Sequence, residues 1–190
     1  MTETLLPGFA DPVADAQACF RAVLGAMSRP GSVHTVAGVS APAPLDTATA
    51  AVLLTLVDQE TPVWLDPAAG PVRPWLAFHT GAAEVSPGDA GFAVALSLPC
   101  LDDLPAGTDE APEAAATVIL QVAALGRGQE FVLDGPGLRV PQSLSVDGLP
   151  GDFAAIWQRN HALFPRGIDL ILCAGDRLAA LPRSVSGREG

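Results

Sequence analysis

Three histidines, three cysteines and ten arginines are the side chains from which catalysis or ligand binding would first be sought in this 190-residue chain. Their spacing is sparse. His34, His79 and His161 fall in three separate segments without an HxxxH or HxH pair, so the residues alone read as isolated satisfied imidazoles and not as a metal-ligand set. Cys19, Cys100 and Cys173 are odd in number, far apart and free of a CxxC pair, which suggests small buried residues in a reducing compartment. All ten basic residues are Arg, so a Schiff base to pyridoxal phosphate, a phosphate-loop lysine and a lysine base are excluded. No GxSxG elbow is present.

Two further patterns invite chemistry and read more simply as structure. GRGQEF (residues 126–131) opens like a dinucleotide fingerprint but lacks the third Gly, and FVLD after it is strand-like, so no helix N-terminus would meet a pyrophosphate. Asp102, Asp103, Asp109, Glu110 and Glu113 lie in Pro- and Gly-containing connections, where carboxylates face water; nothing nearby supplies an apolar pocket to tune them. Arg21, Arg29, Arg177 and Arg183 are the candidate anion-binding or interface residues, because guanidinium forks suit phosphate and carboxylate and the last two flank one hairpin strand.

These side chains need elements to hold them. The clearest lies near the C-terminus: residues 168–174 are apolar except for Asp169, as in a strand buried on both faces, and Gly175-Asp176 predicts a type II′ turn into residues 177–181. The two-residue loop sets Ala174 opposite Arg177, Leu172 opposite Ala179 and Leu170 opposite Leu181, and Pro182 ends the second strand. Asp11-Pro12 caps an amphipathic helix whose apolar positions are Val13, Ala16, Phe20, Val23, Leu24 and Met27. After a short strand at residues 32–36, a second helix capped near Asp46 is apolar nearly all round.

Short strands are expected at residues 62–65 and 91–98, with a short helix at 72–78 between them. Residues 117–123 and 130–133 read as a strand pair turning at Gly126 to Gly128. Phe153, Ile156, Trp157, Asn160 and Phe164 mark one face of a last helix stopped by Pro165. Alternating helices and strands give an α/β class, and the length suits one domain, 1–190, with an ordered core at about 10–184 before the SVSGREG tail.

The net charge of −11 has the wrong sign for gripping a phosphate backbone, so no nucleic acid is expected as partner. No apolar run reaches the roughly 18 residues of a membrane span, and MTETLLPGFADP does not read as a secretory signal. A cytoplasmic protein that binds no membrane is expected.

Five blocks in order carry a resemblance: DAQACFRAVLGAMSRPG, TAAVLLTLVDQETPVWLD, FHT with its acidic and polar loop, APEAAATVILQV and FPRGIDLILCAGDRLAALPR. Together they span nearly the whole chain, and the chain resembles the PhnH family, the H subunit of bacterial carbon–phosphorus lyase systems for phosphonate use. Two departures stand out. Ala115 replaces a common Gly, which bears on a turn or close backbone approach, and PRSVSG replaces PRTT, which bears on contacts after Arg183.

The resemblance implies a three-layer α/β/α fold with a mixed sheet, similar to pyridoxal-phosphate-dependent transferases without their cofactor site. It also implies a homodimer when isolated, and the G, I and J subunits of the core complex as partners. The implied function is an accessory, non-catalytic subunit, with no cofactor and no catalytic or metal residue of its own. It would support formation of alpha-D-ribose 1-methylphosphonate 5-triphosphate from ATP and methylphosphonate. The alternative is a stand-alone enzyme binding an anionic phosphonate or nucleotide at an Arg-lined cleft. Trp64, Trp75 and Trp157 are the expected interface anchors.

Overall fold

The computed structural model describes residues 6–190; the first five residues of the stretch read for a signal lie outside them. In chain order the elements are α1 (Pro12–Ser28), β1 (His34–Thr35), α2 (Thr47–Leu56), β2 (Val63–Leu65), α3 (Arg73–Thr80), β3 (Phe92–Ala95) and β4 (Thr117–Gln121). There follow β5 (Ala124–Asp134), β6 (Gln142–Asp147), α4 (Phe153–His161), β7 (Asp169–Ala174), β8 (Arg177–Leu181) and β9 (Ser186–Glu189). Short 3-10 segments, the longest Pro67–Val72, fill several of the connections.

A six-stranded mixed sheet, ordered β1-β8-β7-β4-β3-β2, forms the middle layer. Its strands β2, β3, β4 and β7 run parallel, and β7, β8 and β1 are antiparallel neighbours. Both faces are buried, which is why β4 and β7 read as continuous apolar runs. Ile119, Ile171, Cys173, Leu178 and Ala180 meet α1, α2 and α3 on one side. Val118, Leu120, Leu170, Leu172, Ala179 and Leu181 meet the other layer, and each Leu or Ile so buried stabilises the fold by about 2 kcal/mol.

That other layer differs from the helical cover expected of an α/β/α sandwich. It holds α4 and a second, three-stranded antiparallel sheet ordered β6-β5-β9. The strand pair expected at residues 117–133 is not formed. β4 has apolar side chains on both faces and so takes a central place in the large sheet, whereas β5 runs on through Gly126 and Gly128 to pair with β6 and β9. The two glycines, at φ +86° and +91°, make a bulge in one long strand instead of a turn, with the register shifting between Leu125 and Gln129. The tail contributes β9 at Ser186–Glu189, beyond the core boundary read near 184.

The β7–β8 hairpin has the predicted register: Leu170 faces Leu181, Leu172 faces Ala179 and Ala174 faces Arg177. Gly175 has φ +58°, and no non-glycine among the described residues has a positive φ, so Asp176 does not; this combination is that of a type II′ turn. A polar tie docks the turn on α2. The Asp46 carboxylate, which makes no cap to its own helix, accepts from Gly175 N at 2.8 Å, and Ala48 N donates to Gly175 O at 2.8 Å. Gln121 Oε1 accepts from Asp46 N and Thr49 Oγ1, at 2.7 and 2.9 Å, which joins the end of β4 to the same place.

Candidate functional site

Helix α1 begins as its residues dictate, with the Asp11 carboxylate accepting from Val13 N and Ala14 N at 3.2 and 3.1 Å before Pro12 opens the first turn. Its buried face is rotated from the predicted one, of which Val23 and Met27 still pack on the core. Cys19, Ala22, Val23 and Ala26 face the core, whereas Val13, Phe20 and Leu24 are 68, 52 and 57 % exposed. Side-chain size decides this: α1 lies close against α2 and β8, and a Cβ added at Gly25 would come within 2.7 Å of the His34 ring. Small residues allow that approach and large ones are turned outward.

Positions 13, 17, 20 and 24 follow helical spacing and share the outward face. Beside them is a shallow hollow of about 340 Å³ lined by Ala16, Gln17, Phe20, Arg21 and Thr55. Arg21 stands at its rim, 3.5 Å from Gln17 Oε1. An apolar centre with a polar edge is the composition of a protein interface.

A second concavity lies on the α4 side of the large sheet, near the starts of β4 and β7, where Ala116 N donates to Pro105 O at 2.7 Å and Gly167 N to Ala106 O at 2.8 Å. It is a cleft of about 470 Å³ between the 99–106 loop and α4, lined by Leu101, Leu104, Ile156, Arg159, Leu163 and Ile168 among others. A smaller hollow of about 250 Å³, with Trp64, Asp66 and Ser97, shares Pro99, Cys100 and Leu104 with it. Cys100 therefore stands on a ridge between the two. No His lines either hollow; Asp102 lines the larger and Asp103 the smaller, which gives these two carboxylates the apolar surroundings not expected of them, while the Asp66 carboxylate is occupied by Ala68 N at 2.9 Å and Leu96 N at 3.2 Å.

The other candidate arginines are distributed. Arg183 is held by Asp169, with Nε 3.1 Å from each carboxylate oxygen, and its Nη1 donates to Pro112 O. Arg177 Nη1 donates to Leu125 O at 2.9 Å. These two lie at opposite ends of β8, on the order of 20 Å apart along an extended chain. Arg29 is the C-cap residue of α1 and is exposed.

Among the described residues no group of three or more His, Cys, Asp or Glu is placed to hold a metal ion. Each histidine ring donates to an oxygen already in place: His34 Nε2 to Ser32 Oγ at 2.9 Å, His79 Nε2 to Leu6 O at 3.1 Å and His161 Nδ1 to Arg183 O at 2.9 Å. Cys19 and Cys173 are buried as expected, and burial pushes both thiols up from their ordinary value. Cys100 is exposed, contrary to expectation, because it sits on a loop ridge and not in the sheet.

The tryptophans also depart from their expected role. Trp157 is buried with its indole N–H donating to Val185 O at 2.9 Å, Trp75 is buried and donates to Leu6 O at 3.1 Å, and Trp64 is half-buried. Trp75 and Trp157 are core residues, and the exposed large apolar residues are Leu6, Phe78, Val140, Leu163 and Phe164 together with Val13, Phe20 and Leu24 on the outward face of α1. The signal that could have found this face was the run of small residues at 19, 22 and 26.

Residues 7–187 match the profile of the family described as "Bacterial phosphonate metabolism protein (PhnH)". The chain is 41% identical over 183 residues to the "Alpha-D-ribose 1-methylphosphonate 5-triphosphate synthase subunit PhnH" of Rhizobium meliloti (strain 1021), covering 93% of this chain and 92% of that one. It is 34% identical over 169 residues to the "Putative C-P lyase subunit protein HtxG" of Stutzerimonas stutzeri, covering 88% of this chain and 83% of that one.

Proposed function

This chain belongs to the PhnH family of bacterial phosphonate metabolism proteins, and from that premise we propose that it is an accessory, non-catalytic subunit of a carbon–phosphorus lyase core complex. In that complex it supports formation of alpha-D-ribose 1-methylphosphonate 5-triphosphate from ATP and methylphosphonate. Its partners are the G, I and J subunits, it works in the cytoplasm, and in isolation it pairs with itself. No described helix is long and apolar enough to cross a membrane, which is compatible with that location. The likeness to pyridoxal-phosphate-dependent transferases belongs to the same reading, as a fold kept without its chemistry; the absence of Lys agrees with it.

One observation carries the role of a docked subunit: the exposed row of Val13, Phe20 and Leu24 on the outside of α1. Three large apolar side chains on one exposed helix face form the kind of patch that marks an interaction site. Its occupant is another subunit of the complex, in keeping with the names of both relatives. Co-expression with the G, I and J subunits, followed by purification through a tag on one of them, tests the reading. The chain should travel with the tagged subunit at low and moderate salt; if it stays behind, the subunit role fails.

A further inference from the structure

Two arginines that are far apart in sequence line one small cleft. The SRPGS loop after α1 and the GPGLRVP loop after β5 meet there, and about 280 Å³ is lined by Arg29, Pro30, Gly31, Ser32, Arg139 and Gln142 together with residues 137, 138 and 140. The loops touch closely. A Cβ on Gly137 would run into Ser28 O, and one on Gly31 would come within 3.2 Å of Gln142 Cβ. Both glycines have a positive φ, near +87° and +89°, so the approach uses conformations that other residues rarely adopt.

The charge of this cleft runs against the rest of the molecule. The chain has twenty-one acidic residues against ten basic ones, yet among the described residues no Asp or Glu lines the cleft. Among the described residues neither Arg29 nor Arg139 enters an ion pair, whereas Arg73, Arg127, Arg166 and Arg183 each do. Nor is Arg29 needed to serve the carbonyls at the end of α1. Gly25 O accepts from Arg29 N at 3.1 Å and Ser28 Oγ at 3.2 Å, and Arg29 O accepts from Ser32 N at 3.1 Å and Ser32 Oγ at 2.7 Å. Two like charges on one exposed concavity without a counter-charge among the described residues make it locally positive, which favours a bound anion.

We infer that the Arg29–Arg139 cleft is a binding site for a dianionic phosphoryl or phosphonyl group. Two guanidinium forks match two charges and up to four oxygen contacts, a geometry that a single carboxylate fills only in part. Ser32 Oγ and Gln142 Nε2, both on the lining, already donate to Arg29 O and to the Val140 and Pro141 carbonyls, so the two guanidinium groups are the donors that remain for the anion. The cleft shares no lining residue with the hollow on the outward face of α1, so its test is separate from that of docking at that face.

The test is calorimetric titration of the intact chain with inorganic phosphate and, separately, with methylphosphonate, at fixed ionic strength, with acetate as the monoanion comparison. Saturable binding is expected for at least one of the two dianions and weaker binding for acetate. Arg29→Gln and Arg139→Gln should each weaken it by about tenfold or more, as loss of a charge-assisted pair does. Arg188→Gln, which alters an exposed arginine on β9, should leave it unchanged. Arg139 lies in an exposed loop, so its variant keeps the test valid if Arg29→Gln fails to fold. No saturable binding to either dianion, or an equal loss in the Arg188 variant, would overturn the assignment.

Discussion

Arg183 clasps Asp169 from the far side of the β7–β8 hairpin, with its backbone N–H 2.7 Å from Oδ1 and its guanidinium against both carboxylate oxygens. Both side chains are only 14 % exposed, so the pair is sheltered and its members depend on each other. Asp169 is the one charge in an otherwise apolar strand, and it is tolerated because this partner arrives with the return strand.

Removing one partner should therefore be costly. Asp169→Ala leaves a sheltered guanidinium without its carboxylate and is expected to destabilise by about 3 kcal/mol. At this chain length that is a fall in melting temperature of roughly 6–12 °C, read by thermal denaturation. A loss below about 0.5 kcal/mol, the ordinary range for a surface change, would show that the pair is not a tie.

Gly175 and Gly128 separate conformational cost from steric cost. A Cβ at Gly175 meets nothing within 4 Å, so Gly175→Ala should cost only the left-handed backbone, about 1 kcal/mol. At Gly128 the Cβ would lie 2.6 Å from Val146 O, so Gly128→Ala should cost more than about 3 kcal/mol. Urea denaturation of the two variants gives the comparison, and equal losses would contradict it.

Trp157 joins α4 to the segment before β9. Replacing it with Phe keeps most of the apolar contact and leaves Val185 O without its donor, for an expected loss of about 1–3 kcal/mol. Replacing it with Ala also opens a cavity and should cost about 3–5 kcal/mol. If the Phe variant proves as stable as the parent, the hydrogen bond contributes nothing.

The cysteines should divide by accessibility. In the native protein at mildly alkaline pH, a thiol reagent should modify Cys100 alone, and in denaturant all three. Burial raises the pKa of Cys19 and Cys173, so the folded state retains protons there that the unfolded state releases. Their contribution to stability is complete below the unfolded thiol pKa, near 9, and is lost as pH rises above it. Rapid native reaction at two or three thiols would refute the burial of these residues.

Phe20→Ser combined with Leu24→Ser should change stability by no more than about 0.5 kcal/mol, because both side chains already face solvent. The same change should lower co-purification with the G, I and J subunits by at least about tenfold. Unchanged recovery would move the docking surface elsewhere.

The hairpin was legible because a two-residue Gly-Asp loop leaves one register open to an alternating pair of strands, and Pro182 marks its end. α1 was legible as a helix and illegible in orientation. Periodicity locates apolar positions but does not weigh close approach, and here Cys19, Ala22 and Ala26 suited the interface with α2 and β8 better than Phe20 or Leu24. β5 was misread because Gly126 and Gly128 serve a turn and a bulge equally well, and only the burial of β4 on both faces decides between them. Arg139, which lines a cleft with Arg29, gave no sequence signal because it lies in a loop between two strands of the second sheet.

β1 pairs only with β8, and α1 rests on α2 and on β8. As a ribosome extends the chain, the first helix emerges long before the strand that seats it, with small apolar residues on one side and large ones on the other. Such non-local closure slows folding and lengthens the time that sticky surface is open to other molecules. The first helix made is thus seated in full only once β8, near the end of the chain, is in place.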